Sequence, residues 1–250
     1  QISLWDPDGS SVAGNITDVA LQSKLAFLAD AGVGLRIVDV TEPQRPALVG
    51  TGSRPVQQPA LDAVGVAVEG KQAFLAASQA GLVIYDVDIP SRPVEQAVVP
   101  IVGANGGRYV DVTVDDQRAY AVHWVDSNTR DGGVVVVDRT RLAASPKKAH
   151  ISGIPLAIAV RDNIAYLAAS NGWRVADLSD PRSVARSGPD SPLETSAMRI
   201  PSGGIDLAID GNRLASAELD SGVAILDSDP VGGLTKRSSV DRLWETRAVD

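Results

Sequence analysis

Gly34-Leu-Arg-Ile-Val-Asp39 decides how this chain is read: a glycine, an apolar strand, and an aspartate five places after the glycine. The same spacing returns as Gly81-Leu-Val-Ile-Tyr-Asp86, Gly133-Val-Val-Val-Val-Asp138, Gly172-Trp-Arg-Val-Ala-Asp177 and Gly222-Val-Ala-Ile-Leu-Asp227. Five copies with one internal spacing make this a repeat protein, and the repeat must be read before any single element.

Two further apolar segments precede each copy. The first alternates large residues: Val19 and Leu21, Val66 and Val68, Val112 and Val114, Ile158 and Val160, Leu207 and Ile209. A period of two marks a strand with these side chains on one face. The second holds Ala26-Phe27, Ala73-Phe74, Ala119-Tyr120, Ala165-Tyr166 and Leu214-Ala215. Between them lie hairpin residues such as Glu69-Gly70 and Asp210-Gly211-Asn212. After the motif, turns such as Asp39-Val-Thr-Glu-Pro43 lead to a fourth short strand, with proline where no ladder donor is needed. The third repeat departs here, with Asp138-Arg-Thr-Arg-Leu.

Repeat starts at Asp18, Gly65, Asp111, Ala157 and Asp206 are 47, 46, 46 and 49 residues apart. Four antiparallel strands at this period predict the blades of an all-β propeller. A helical solenoid would need a 3.6-residue apolar period, and a sandwich would not repeat one hairpin pattern five times. The expectation is one propeller domain over residues 1–250, with repeats near 16–60, 61–107, 108–152, 153–202 and 203–245. Both ends, 1–15 and 246–250, resemble pieces of a further blade, giving five to six blades. Ile2-Ser-Leu-Trp-Asp6 matches the motif strand, and Arg247-Ala-Val-Asp250 matches a first strand. Either the ends share a blade or the chain is a segment of a longer one; a start at Gln1, without methionine, suits a removed or missing leader.

Composition narrows the function classes. The absence of cysteine removes disulfides, thiolate metal sites and cysteine nucleophiles. A net charge of −8 disfavours a phosphate backbone, so nucleic acid is not an expected partner. No run approaches the ~18 apolar residues of a membrane span.

Leu35-Arg-Ile-Val-Asp39-Val, with its downstream proline and upstream Asp18-Val and Ala26-Phe27, resembles the LVIVD repeat. Leu82-Val-Ile-Tyr-Asp86-Val and Val175-Ala-Asp177-Leu-Ser-Asp-Pro181 resemble it as well, and the likeness extends over nearly the whole chain. The resemblance implies a bacterial or archaeal propeller that is extracellular or at the cell surface, and it implies no catalytic motif.

Candidate sites each have a plain alternative. The strand-end acids Asp39, Asp86, Asp138, Asp177 and Asp227 read as caps of the turn that follows. Asp18, Asp111 and Asp206 would gather at one mouth of the channel, where carboxylate oxygens suit calcium. Gly65 and Ala157 interrupt that ring, and backbone bonding is the competing role. The insertion Val125–Gly133 has Asp126 and Asn128 two apart but lacks the rest of a calcium loop. His123 and Trp124 at its start offer an aromatic anchor for a partner, or else pack beneath the loop. Gly103-Ala-Asn-Gly-Gly107-Arg108 lacks the ending of a phosphate loop and reads as a turn. Two histidines in unlike repeat positions, and no nucleophile elbow, point away from an enzyme.

The function expected is therefore a non-enzymatic propeller presenting loops to a protein or surface glycan, with no cofactor beyond calcium at the acidic ring. An architectural module is the alternative. A channel-mouth hydrolase or lyase acting on glycans or esters through Asp18, Asp111 and Asp206 is the third reading.

Overall fold

Short alternating strands rich in Ala and Val bury both faces most readily when their sheets stack on one another. A computed structural model of the chain describes residues 15–52, 61–101, 107–126, 131–143, 146–151, 153–169, 172–179, 204–218, 222–229 and 234–240. These residues form strands and connecting turns, with no helix among them.

Blade one is β1 (Ile16–Gln22), β2 (Leu25–Asp30), β3 (Gly34–Asp39) and β4 (Ala47–Gly52). Blade two is β5 (Gly65–Glu69), β6 (Gln72–Ala76), β7 (Leu82–Asp86) and β8 (Val94–Val99). Blade three is β9 (Arg108–Val114), β10 (Arg118–Asp126), β11 (Asp131–Asp138) and β12 (Lys147–Ile151). Blade four has β13 (Pro155–Arg161), β14 (Ile164–Ala169) and β15 (Gly172–Asp177); its expected fourth strand falls outside the described residues. Blade five is β16 (Gly204–Asp210), β17 (Arg213–Glu218), β18 (Gly222–Ser228) and β19 (Leu234–Val240). Every sheet is an antiparallel meander in sequence order.

The motif glycine has a backbone reason. Gly34, Gly81 and Gly222 have φ of 108°, 106° and 83°, a region closed to most side chains. The first strands β1, β5, β9, β13 and β16 pack successively side by side, so the sheets form an arc. In β1, β9, β13 and β16 a bulge falls just before Asp18, Asp111, Ala157 and Asp206. Such a bulge re-aims the side chain that follows it.

Among the described residues the core is four layers, each shared by two adjacent blades. Every layer receives one aromatic from the second strand of its leading blade: Phe27, Phe74, Tyr120 and Tyr166, all at most 1% exposed. Each such ring stabilises its layer by roughly 1.5–3 kcal/mol. The ring sits in a cross-strand triplet, Ala20-Phe27-Ile37 in blade one and Thr113-Tyr120-Val136 in blade three. In blade five the triplet is Ala208-Ala215-Ile225, without a ring.

Polar staples at the hairpin turns reinforce the layers. Gln22 exchanges two 2.8 Å bonds with the backbone of Gly70. Arg118 donates to Asn163 Oδ1 at 2.9 Å, and Arg161 donates to the Gly211 carbonyl. Arg139 reaches back to the Glu69 carbonyl at 2.6 Å. On the leading edge of the arc, Val19 and Leu21 remain 45% and 72% exposed, whereas their counterparts in blade two are covered by blade one.

Candidate functional site

The carboxylates named for the channel mouth do come near one another. Asp111 is raised well above the ordinary carboxyl range, first by burial and then by repulsion from Asp18 and Asp206. Their oxygens, however, are engaged by backbone. Asp18 accepts the Val19 N–H at 2.8 Å and the Val66 N–H of the next blade at 2.7 Å. Asp111 accepts the Val112 N–H at 2.7 Å and the Ile158 N–H of blade four at 2.8 Å. Asp206 accepts the Leu207 N–H at 2.9 Å. Among the described residues no three carboxylates or histidines form a group that could hold a metal ion. Gly65 and Ala157, which seemed to interrupt a ring, are the complement of the staples. Each leaves its following amide free for the preceding aspartate, and a Cβ on Gly65 would press to 3.2 Å from Asp111 Oδ1.

This arrangement predicts a pH response. Asp111 binds its proton more tightly folded than unfolded, so protons favour the native state between the two pKa values. Stability contributed by this group is present at low pH and falls as pH rises from about 4 through the raised folded value. Thermal melts across mildly acid pH should show that decline and lose it in Asp111→Asn. An unchanged slope in the variant would assign the effect elsewhere.

The strand-end aspartates act in the turns. Asp39, Asp86, Asp138 and Asp177 each accept the backbone N–H two residues on, at 2.7 to 2.9 Å. The Thr140 hydroxyl, with Arg141 beside it, holds Asp138 down to about 2. Asp227 is instead gripped by Arg237 at 2.5 Å, with Arg213 at 3.6 Å.

His123 is not where a partner could touch it. The strand β10 runs on through it to Asp126, so it lies within the sheet, 2% exposed, edge-on to Tyr109 with ring centroids 5.7 Å apart. Trp124 is half-buried: its indole N–H donates to the Pro155 carbonyl at 3.1 Å, and Arg108 lies 3.7 Å over its ring. Trp124 therefore ties blade three to blade four, while His123 packs inside the sheet of blade three. Of the insertion read as a loop, Val125–Asp126 and Asp131–Gly133 belong to strands, and 127–130 lie outside the described residues. The turn at Gly103–Gly106 also lies outside them, as do residues 1–14 and 246–250 of the two ends read as a further blade.

Sequence reasoning missed a pocket of about 730 Å3 on the trailing face of blade five. Its floor is Ala208, Ala215 and Ile225, and Asp210, Arg213 and Arg237 stand on its rim. The signal was present in the repeat alignment, where Ala215 occupies the aromatic position.

Three segments, residues 13–52, 61–99 and 152–188, match the family model of the LVIVD repeat. The chain carries LVIVD repeats. The matched segments cover blades one, two and four. The blades outside the match are the two that depart locally: blade three lacks the proline turn, and blade five lacks the ring. No curated protein matches the sequence. Among solved structures, the computationally designed Ika8 protein aligns with TM-score 0.67 at 12% identity, over 97% of this chain and 66% of that one. A Lactobacillus plantarum protein aligns with TM-score 0.66 at 15% identity, over 94% and 73%. A candidate 6-phosphogluconolactonase from Bacteroides fragilis aligns with TM-score 0.66 at 14% identity, over 95% and 74%. These likenesses establish the propeller fold for the LVIVD chain, which spans about two thirds to three quarters of their lengths. No helix among the described residues is long and apolar enough to cross a membrane.

Proposed function

We propose that the chain is a binding module, not an enzyme, and that it recognises a protein or surface glycan partner at the open face of blade five. The observation that carries this reading is the pocket itself: an apolar floor ringed by charges of both signs, within the volume range of ligand sites. Among the described residues no histidine lines it. The extracellular or cell-surface setting implied by the repeat belongs to the same proposal.

A second reading rests on one specific observation. Asp111 has the raised carboxyl of a general acid, and two further carboxylates lie near it. That pattern would serve a hydrolase or lyase at the channel mouth. Against it stands the use of both Asp111 oxygens on backbone amides.

One experiment separates the two. The purified chain is offered chromogenic esters, lactones and glycosides, and in parallel is applied to peptide and glycan arrays. Binding without turnover, weakened roughly tenfold or more by Arg213→Glu with Arg237→Glu, is the expected result. Turnover that disappears in Asp206→Asn would replace this reading with the second.

A further inference from the structure

Blade three contains a complete version of what blade five contains in part. In blade three the Tyr120 hydroxyl donates to Asp115 Oδ2 at 2.7 Å, and Arg118 lies beside the same hydroxyl. Counting along the repeat, Asp115, Arg118 and Tyr120 fall on Asp210, Arg213 and Ala215. The acid and the base are kept at the same spacing, and only the phenol is missing.

The space for that phenol is present too. Tyr120 lies on Thr113 and Val136; Ala215 lies between Ala208 and Ile225, and these three form the floor of the pocket. Ile225 is half-buried, whereas its counterparts Ile37, Ile84, Val136 and Val175 are at most 7% exposed beneath their rings. Arg213, whose counterpart Arg118 is bonded across to blade four, is 71% exposed and lies 3.6 Å from Asp227. An apolar floor with an acid and a base at its edge offers a ring a face to rest on and its hydroxyl a partner.

We propose that the blade-five pocket is a seat for a phenolic ring carried by a ligand. The ring rests on Ala208, Ala215 and Ile225, and its hydroxyl donates to the Asp210 carboxylate beside Arg213. This deepens the reading of blade five as the recognition face and rests on it. The pocket, at about 730 Å3, is much larger than one ring. The ring therefore arrives on a larger body, and a tyrosyl side chain of a peptide and a substituted small phenol share the chemistry.

The test titrates the full chain with p-cresol and N-acetyltyrosinamide, using toluene and N-acetylphenylalaninamide as controls lacking the hydroxyl. Amide shifts at Ala208, Ala215 and Ile225 report the site. Each phenol should bind roughly tenfold or more tighter than its control, because a site built around a hydroxyl group rejects the analogue without it. Tighter binding of N-acetyltyrosinamide than of p-cresol would identify a tyrosyl source, and the reverse a small phenol. Ala215→Tyr should supply the ring in cis, abolish binding and raise the melting temperature. Asp210→Asn should keep the fold and shrink the preference for the hydroxyl. Equal binding of phenols and controls, or binding that survives Ala215→Tyr, would overturn the seat. An array ligand unaffected by Ala215→Tyr would overturn the seat and leave the binding reading standing. Turnover at Asp206 would overturn the binding reading, with the phenol titration judged on its own result.

Discussion

Asp30→Ala is expected to lower the unfolding free energy by about 3–5 kcal/mol, the usual cost of breaking a buried ion pair by removing one member. Asp30 closes β2 and lies 2.5 Å from Arg36 Nε, with side chains 1% and 7% exposed. Removing the carboxylate leaves a guanidinium that water reaches poorly. In a chain of this size the loss corresponds to roughly 6–20 °C of melting temperature. The double variant Asp30→Ala with Arg36→Leu should recover most of it, because two apolar groups carry no unpaired charge. Urea titrations of the single and double variants measure the difference. A single-variant loss below about 1 kcal/mol would mean that the pair is solvated like a surface one.

The second large effect lies between blades one and two. Gly50 in β4 faces the turn of blade two so closely that an added methyl would overlap the Pro90 carbonyl oxygen and stand 3.2 Å from Pro93 Cδ. The obstacle is backbone, which cannot rotate aside. Gly50→Ala should therefore cost about 3 kcal/mol, the upper end of ordinary overpacking. Gly211→Ala is the matched control: φ is +55° there, but a Cβ meets nothing within 4 Å. It should lose only about 1–2 kcal/mol of backbone strain. Equal losses at the two sites would show that the overlap with Pro90 relaxes at no greater cost than the strain at Gly211.

Much of this architecture could be read along the chain, because it repeats. The alternation of Val19 with Leu21, the turn at Glu69-Gly70 and the five glycine-to-aspartate spacings each have a local cause, so residues near in sequence reveal them. The strand-end aspartates were legible for the same reason, since four of them bond only two residues onward. Asp18 and Asp111 were half legible. Their gathering followed from the repeat, but the amides they hold sit on the next blade, 47 or 48 residues away. His123 was misplaced because nothing local says how far β10 continues before it turns. The blade-five pocket was hidden for a different reason. Alanine at position 215 is an ordinary strand residue, and it becomes a vacancy only beside the acid and base that blade three uses for its tyrosine.

The inner-strand staples also make blade number a matter of parity. Asp18, Gly65, Asp111, Ala157 and Asp206 alternate aspartate with a small residue, and Asp18 and Asp111 each hold the amide that follows them and the matching amide of the next blade. Two aspartate blades set side by side would compete for one N–H, and two small-residue blades would leave one unclaimed. Blades of this kind are interchangeable in couples and not singly. A graft that inserts or deletes one of them disturbs a seam, while one that moves two leaves every seam as it was.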